Sequence, residues 1–184
     1  MCIPPPGRDP APLLPLPLAG QQWVSEVALP CGTAGQSDGR DLAFMRDLLE
    51  LVEKSDLPAP SPIEQRWTAA SSSRMSPAHS AAADDLHTWV GVIMYLPTEE
   101  PAARAAITRR FWEYNALCRN QLWPQYGAHQ HWAKIELPDE PEQRASLKRR
   151  LRERFPLEEF NKERKRLDPK GILVNDFLAE ILDE

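Results

Sequence analysis

The placement of prolines constrains this chain more than any other feature. There are 19 among its 184 residues, and each fixes φ and removes an amide donor that a helix or sheet would use. Beyond residue 20, Pro30, Pro58, Pro60, Pro97, Pro138, Pro156 and Pro169 fall at the ends of stretches with regular hydrophobic spacing. The chain must therefore be assembled from short elements, and the spacing inside each one says which kind it is. Seven prolines crowd the first 17 positions, so residues 1–21 are expected to be a disordered or polyproline-like leader.

Residues 22–29 alternate Trp23, Ser25, Val27 and Leu29 against Val24, Glu26 and Ala28, which predicts a strand stopped by Pro30. After a glycine-rich turn, Asp41 is placed to cap a helix whose apolar positions Leu42, Met45, Leu48, Leu49 and Val52 follow three-four spacing. Leu57-Pro58-Ala59-Pro60 ends it and leads into a second strand at Ser61–Thr68. Residues 69–85 read as a loop of the length that often carries binding function. His87–Leu96 is an apolar strand, Thr98 and Glu99 open a helix to about Leu122, and Gln130–Leu137 alternates again as a fourth strand. The order β-α-β-β-α-β predicts an α+β fold of the split-βαβ, ferredoxin-like kind. Its four antiparallel strands carry two helices on one face and leave the other open. Further helices are expected at about 140–154, 157–166 and 173–183.

Several functional classes are disfavoured. A net charge of -5 gives no general nucleic-acid footprint. Cys2, Cys31 and Cys118 are odd in number and widely spaced, so they read as free thiols in a reducing compartment. The longest apolar run, Trp89–Leu96, is far short of the roughly 18 residues that a membrane helix needs. Ten Lys and Arg between Arg144 and Arg166 form a local basic stripe, which reads as a solvated helix face laced with i,i+4 pairs.

The chemistry-bearing positions are few. On a strand, Glu64 and Arg66 share one side about 7 Å apart while Ile63, Gln65 and Trp67 take the other. A planar guanidinium beside a carboxylate grips oxyanions or polyhydroxylated ligands, and a plain surface ion pair would have the same spacing. In His131-Trp132-Ala133-Lys134, a strand puts Trp132 and Lys134 on one face and His131 on the other, so Lys134 is either a second cation for the same ligand or a snorkelling surface lysine. His129 and His131 have no third metal ligand near them, so no metal is expected. Ser71-Ser72-Ser73 with His79 and Asp84 lacks any nucleophile-elbow context and is read as loop composition.

Seven stretches in order resemble one known group. They are Trp23–Val27, Pro62–Trp67, Met75-Ser76-Pro77, Trp89–Pro97, His131–Glu136, Arg154-Phe155-Pro156 and Leu167-Asp168-Pro169. Together they are similar to the C-terminal, substrate-domain part of the aldonolactone oxidoreductases, in the vanillyl-alcohol-oxidase flavoprotein family. The resemblance implies a catalytic Glu64 and Arg66 with Lys134, substrate contacts from His131 and Trp132, FAD as cofactor, an aldonolactone as substrate and cytochrome c as one electron acceptor. In plants it implies the last step of ascorbate synthesis at the mitochondrial inner membrane. Residues 22–184 are thus expected to form the substrate domain. Nothing in the chain resembles the family's FAD-binding domain, so the chain by itself is expected to be inactive. The other reading is a non-catalytic ferredoxin-like binding module.

Overall fold

The computed structural model describes residues 21–59, 62–138 and 140–182. The proline-rich leader and Ser61 lie outside the described residues. In chain order the elements are β1 (Gln22–Thr33), β2 (Gln36–Ser37), α1 (Arg40–Lys54), β3 (Ile63–Ala69), β4 (Asp85–Tyr95), α2 (Pro101–Gln121), α3 (Trp123–Tyr126), β5 (His129–Gln130), a 3-10 turn (Trp132–Lys134), α4 (Pro141–Arg154), α5 (Leu157–Leu167) and α6 (Asp176–Leu182). The long strands pair antiparallel in the order β1-β4-β3, with β5 and the short β2 both antiparallel to β1. This is the α+β, split-βαβ arrangement expected from the alternating periods.

The strand period of two sorts the side chains. Val27 and Leu29 of β1 with Val90, Val92 and Met94 of β4 turn to one face, where Phe44 and Leu48 of α1 and Phe111, Tyr114 and Cys118 of α2 close the main core. Each such aliphatic residue contributes roughly 1.5–3 kcal/mol through burial. Polar pins set the helix position: Trp23 Nε1 donates to Thr108 Oγ1 at 2.8 Å and Ser25 Oγ to Asn115 Oδ1 at 3.0 Å.

Three local expectations are corrected. Pro30 does not stop β1; it pairs with His87 at a bulge, where a missing N–H is tolerated, and the strand runs on to Thr33. Asp41 does not cap α1. Gly39 occupies that position with φ 75°, and Asp41 is buried, its Oδ2 accepting from Trp67 Nε1 at 3.0 Å. The helix expected from Thr98 starts at Pro101, because the Glu100 carboxylate accepts the Ala102 and Ala103 amides.

The largest correction concerns the fourth strand. It ends after Gln130, since His131 Nδ1 accepts the Ala133 amide at 3.0 Å and Gln130 Nε2 donates to the Lys134 carbonyl at 2.9 Å. Such local side-chain bonds give the backbone an alternative to the ladder. Trp132 and Lys134 therefore do not share a strand face. Trp132 turns into a second core, formed with Ile135 by Leu147, Leu151, Phe155, Leu157, Ile181 and Leu182 of the C-terminal helices. There it lies 4.6 Å from the Phe155 ring and donates Nε1–H to the Met75 carbonyl at 2.6 Å.

The loop between β3 and β4 is folded. Ser71 N donates to the Ala78 carbonyl at 2.9 Å, which packs Ala78 against Ala28 and Trp89 at one end of the open face. His79 Nδ1 bonds the Ser71 carbonyl at 3.0 Å rather than a hydroxyl, so this trio organises a turn.

Candidate substrate-binding face

The face turned away from α1 and α2 carries the odd-numbered residues of β4 and the even-numbered residues of β1 and β3. Register aligns them in rows. Glu26, Gly91 and Glu64 lie across the sheet in one row, and Ala28, Trp89 and Arg66 in the next. Gly91 thus leaves a gap in the side-chain layer between two carboxylates. A Cβ built there would meet the Glu26 Cγ at 3.8 Å and the Glu64 Cβ at 3.9 Å, so the position is roomy and its lack of a side chain is not forced by the fold.

Arg66 reaches over this gap. Its Nε donates to Glu26 Oε1 at 2.8 Å, and its guanidinium lies 4.6 Å from the centre of the Trp89 ring. Trp89 is held by its own Nε1–H, which donates to Thr68 Oγ1 at 2.9 Å. The Glu26 side chain is 15% exposed and that of Arg66 51%, so solvent screens the pair. The ion pair contributes about 1 kcal/mol at most and the ring contact a similar amount. Their larger effect is geometric: the guanidinium is oriented while both terminal nitrogens remain without a hydrogen-bond partner among the described residues. Glu64 is exposed and likewise unpartnered among them.

Glu64 and Arg66 share a face, as their spacing predicts. Of the His-Trp-Ala-Lys stretch, the structure brings His131 to this face: its amide donates to the Glu26 carbonyl at 2.8 Å, and its ring centre is 5.5 Å from that of Trp89. Trp132 is taken away into the second core. Lys134 sits on the 3-10 turn, half-buried, with no side-chain hydrogen bond among the described residues. Glu26 and Trp89 were not singled out by sequence reasoning. Their only local signal is that each occupies an alternation position opposite the core-facing residues of its strand. Among the described residues no group of three or more His, Cys, Asp or Glu side chains is arranged to hold a metal.

A cation held over an aromatic ring beside a carboxylate and a side-chain-free gap has the chemistry to hold a small polyhydroxylated or oxyanionic ligand. Residues 16–181 match the D-arabinono-1,4-lactone oxidase family model, and the chain belongs to this family. It is 50% identical over 162 residues to the mitochondrial L-galactono-1,4-lactone dehydrogenase of Brassica oleracea, covering 88% of this chain and 27% of that protein. Over 162 residues it is also 49% identical to the mitochondrial L-galactono-1,4-lactone dehydrogenase of Arabidopsis thaliana and 49% identical to L-galactono-1,4-lactone dehydrogenase 1, mitochondrial, of Oryza sativa subsp. japonica. Those alignments also cover 88% of this chain, with 27% and 28% of the respective relatives. The chain thus spans little more than a quarter of the length of the curated relatives it matches.

Proposed function

We propose that residues 22–184 are the substrate domain of an FAD-dependent aldonolactone dehydrogenase or oxidase, and that L-galactono-1,4-lactone or a close relative lies on the face of Glu64 and Arg66. The observation that carries this reading is Arg66, oriented by Glu26 and Trp89, whose terminal nitrogens, like the neighbouring Glu64 carboxylate, have no partner among the described residues. FAD, when bound by the part of such an enzyme outside this chain, supplies the hydride acceptor. The exposed charged face fits an acceptor approaching from outside the sheet.

The residues of this chain have separable tasks. Glu64 accepts hydrogen bonds from ring hydroxyls and fixes which carbon faces outward. Arg66 stabilises the negative charge that develops on oxygen as hydride leaves, with fixed charge and little reorganisation. Lys134, if its ammonium swings to the same oxygen, adds a second cation. His131 borders the face beside Trp89, and Trp132 anchors the turn that carries both. In this reading the domain works in the mitochondrion, as its relatives are named, on the inner membrane and with cytochrome c as acceptor. No helix among the described residues is long and apolar enough to cross a membrane.

The test is Arg66→Ala in an FAD-containing enzyme that carries this domain. Turnover with the lactone should fall about 100-fold or more, the scale of losing an oxyanion donor, while stability falls by no more than about 2 kcal/mol from the lost ion pair and ring contact. Arg66→Lys should rescue poorly, since it keeps the charge and loses the planar fork. Near-wild-type turnover of Arg66→Ala would reduce the Glu26–Arg66 pair to surface decoration.

A further inference from the structure

A second cluster of basic side chains lies where α3 and β5 meet α4; of its members only His129, in register with Ala28, belongs to the sheet face of Glu64 and Arg66. Arg119 of α2, Arg150 and Arg154 of α4 and His129 of β5 line one pocket of about 390 Å³, a volume within the usual range for small-ligand sites. Its remaining wall is mostly apolar, including Trp123, Leu151 and Phe155, with Gln130 as a neutral polar member. The one acid along it is Glu153, which is exposed.

These cations are poorly compensated. Arg150 donates only to Ser146 Oγ, at 2.9 Å. Arg154 has one long contact to the Pro77 carbonyl at 3.4 Å and lies 5.5 Å from the centre of the Phe155 ring, while its Nε is buried with no partner. Arg119 has no hydrogen-bond or ion-pair partner among the described residues. Burial pushes all three guanidiniums below their ordinary pKa; at Arg150 the positive charges of Arg119 and Arg149 add to the effect and the exposed Glu153 opposes it only in part. His129 is pushed down to about 4 by burial first, then by Arg154 and His87, so at neutral pH it offers a ring nitrogen and no charge. Half-buried charges of one sign without a counter-charge are unfavourable unless something supplies it. Elsewhere on the basic stripe Lys148 pairs with Glu180 at 3.1 Å and Arg166 with Glu163 at 2.8 Å, while Arg149, Arg152, Lys162 and Lys165 are exposed to solvent.

We propose that this pocket binds a phosphate monoester, its oxyanion gripped by Arg119 and Arg150 and its organic body laid against Trp123, Leu151 and Phe155. A dianion answers the surplus of cations better than a carboxylate. Guanidinium forks match phosphate geometry bidentately, and the apolar wall selects an ester over the free ion. The same headgroup chemistry could come from a soluble phosphorylated metabolite or from an anionic phospholipid.

The experiment uses the full 184-residue chain and phenyl phosphate, followed by titration calorimetry in phosphate-free buffer. Saturable binding is expected, about 10-fold tighter than that of inorganic phosphate through the buried ring. Arg119→Met and Arg150→Met should each weaken it by about 10-fold or more, on the scale of a charge-assisted bond, while Lys54→Met, at an exposed lysine of α1, leaves it unchanged. Arg119→Met should also raise the melting temperature without ligand, because it removes an uncompensated charge; a merely structural arginine would lower it. The His129 ring resonances should titrate at higher pH when phenyl phosphate is bound. Phosphatidic acid vesicles separate the two sources: sedimentation that phenyl phosphate displaces and Arg119→Met abolishes assigns a membrane headgroup, and no sedimentation assigns a soluble ester. Absence of saturable phenyl phosphate binding, or unchanged binding in both arginine variants, overturns the proposal.

Discussion

Arg66 on β3 hydrogen-bonds Glu26 on β1 although the two strands are not neighbours; the 2.8 Å contact spans the whole width of β4. Adjacent strands lie about 4.8 Å apart, so the long arginine side chain must cross β4, and it does so where Trp89 provides a ring to lie on and Gly91 provides no obstruction. Position in the sheet thereby converts an exposed arginine into an oriented one.

Removing the orienting carboxylate tests that statement. Glu26→Ala should lower kcat/KM for the lactone by about 10-fold in an FAD-containing enzyme with this domain, and should destabilise the fold by at most about 1 kcal/mol. Glu26→Gln keeps an acceptor for the arginine Nε–H and should recover most of the loss. Steady-state rates and melts of the two variants, compared with Arg66→Ala, check the order Gln above Ala.

Gly91 offers a cleaner separation of folding from binding. Its would-be Cβ makes contacts of 3.8 and 3.9 Å, ordinary packing distances, so Gly91→Ala should leave the melt unchanged or raise stability by about 0.5 kcal/mol by restricting the unfolded chain. Gly91→Val fills the gap under the Arg66 crossing and should raise KM several-fold more than Gly91→Ala does. Equal KM values for glycine, alanine and valine would show that no ligand uses the gap.

Phe155 joins the C-terminal helices to the Trp132 turn and is 4% exposed. Phe155→Ala should destabilise the domain by about 3–5 kcal/mol through lost burial and a residual cavity. Urea unfolding monitored by tryptophan fluorescence measures it, and a loss below about 1 kcal/mol would mean that the second core does not hold the turn.

Stability should depend on pH through His129. Its ordinary pKa is 6.5 and the fold lowers it to about 4, so between those values the unfolded chain binds more protons and stability rises with pH. The contribution is fully present above about 6.5 and is lost as pH falls towards 4. Buried His87 is shifted in the same direction, mainly by burial, and adds to it. Melting temperatures between pH 4 and 7 should show this slope, and His129→Gln should flatten it.

The sequence by itself determined which side chains share a strand face. Residues i and i+2 stand on the same side whatever the strand pairs with, so Glu64 with Arg66, and Val27 with Leu29, were legible from spacing alone. The two helices were legible for the same reason, since three-four spacing is a local property. Only the tertiary structure decided what stands next to those faces. Glu26 meets Arg66 because β1 and β3 flank β4 in one register, a relation between residues 40 apart in the chain that is set by core packing over the whole sheet. The fourth strand was misread because its alternation competed with bonds no pattern displays: the His131 ring accepting a nearby amide, and the Trp132 N–H finding a carbonyl 57 residues away. The meeting of Arg119 with Arg150 is of the same kind. Arg150 reads as part of a solvated basic stripe, and only the docking of α4 beside α2 places it with Arg119 on one pocket, where the exposed Glu153 is the one acid beside them.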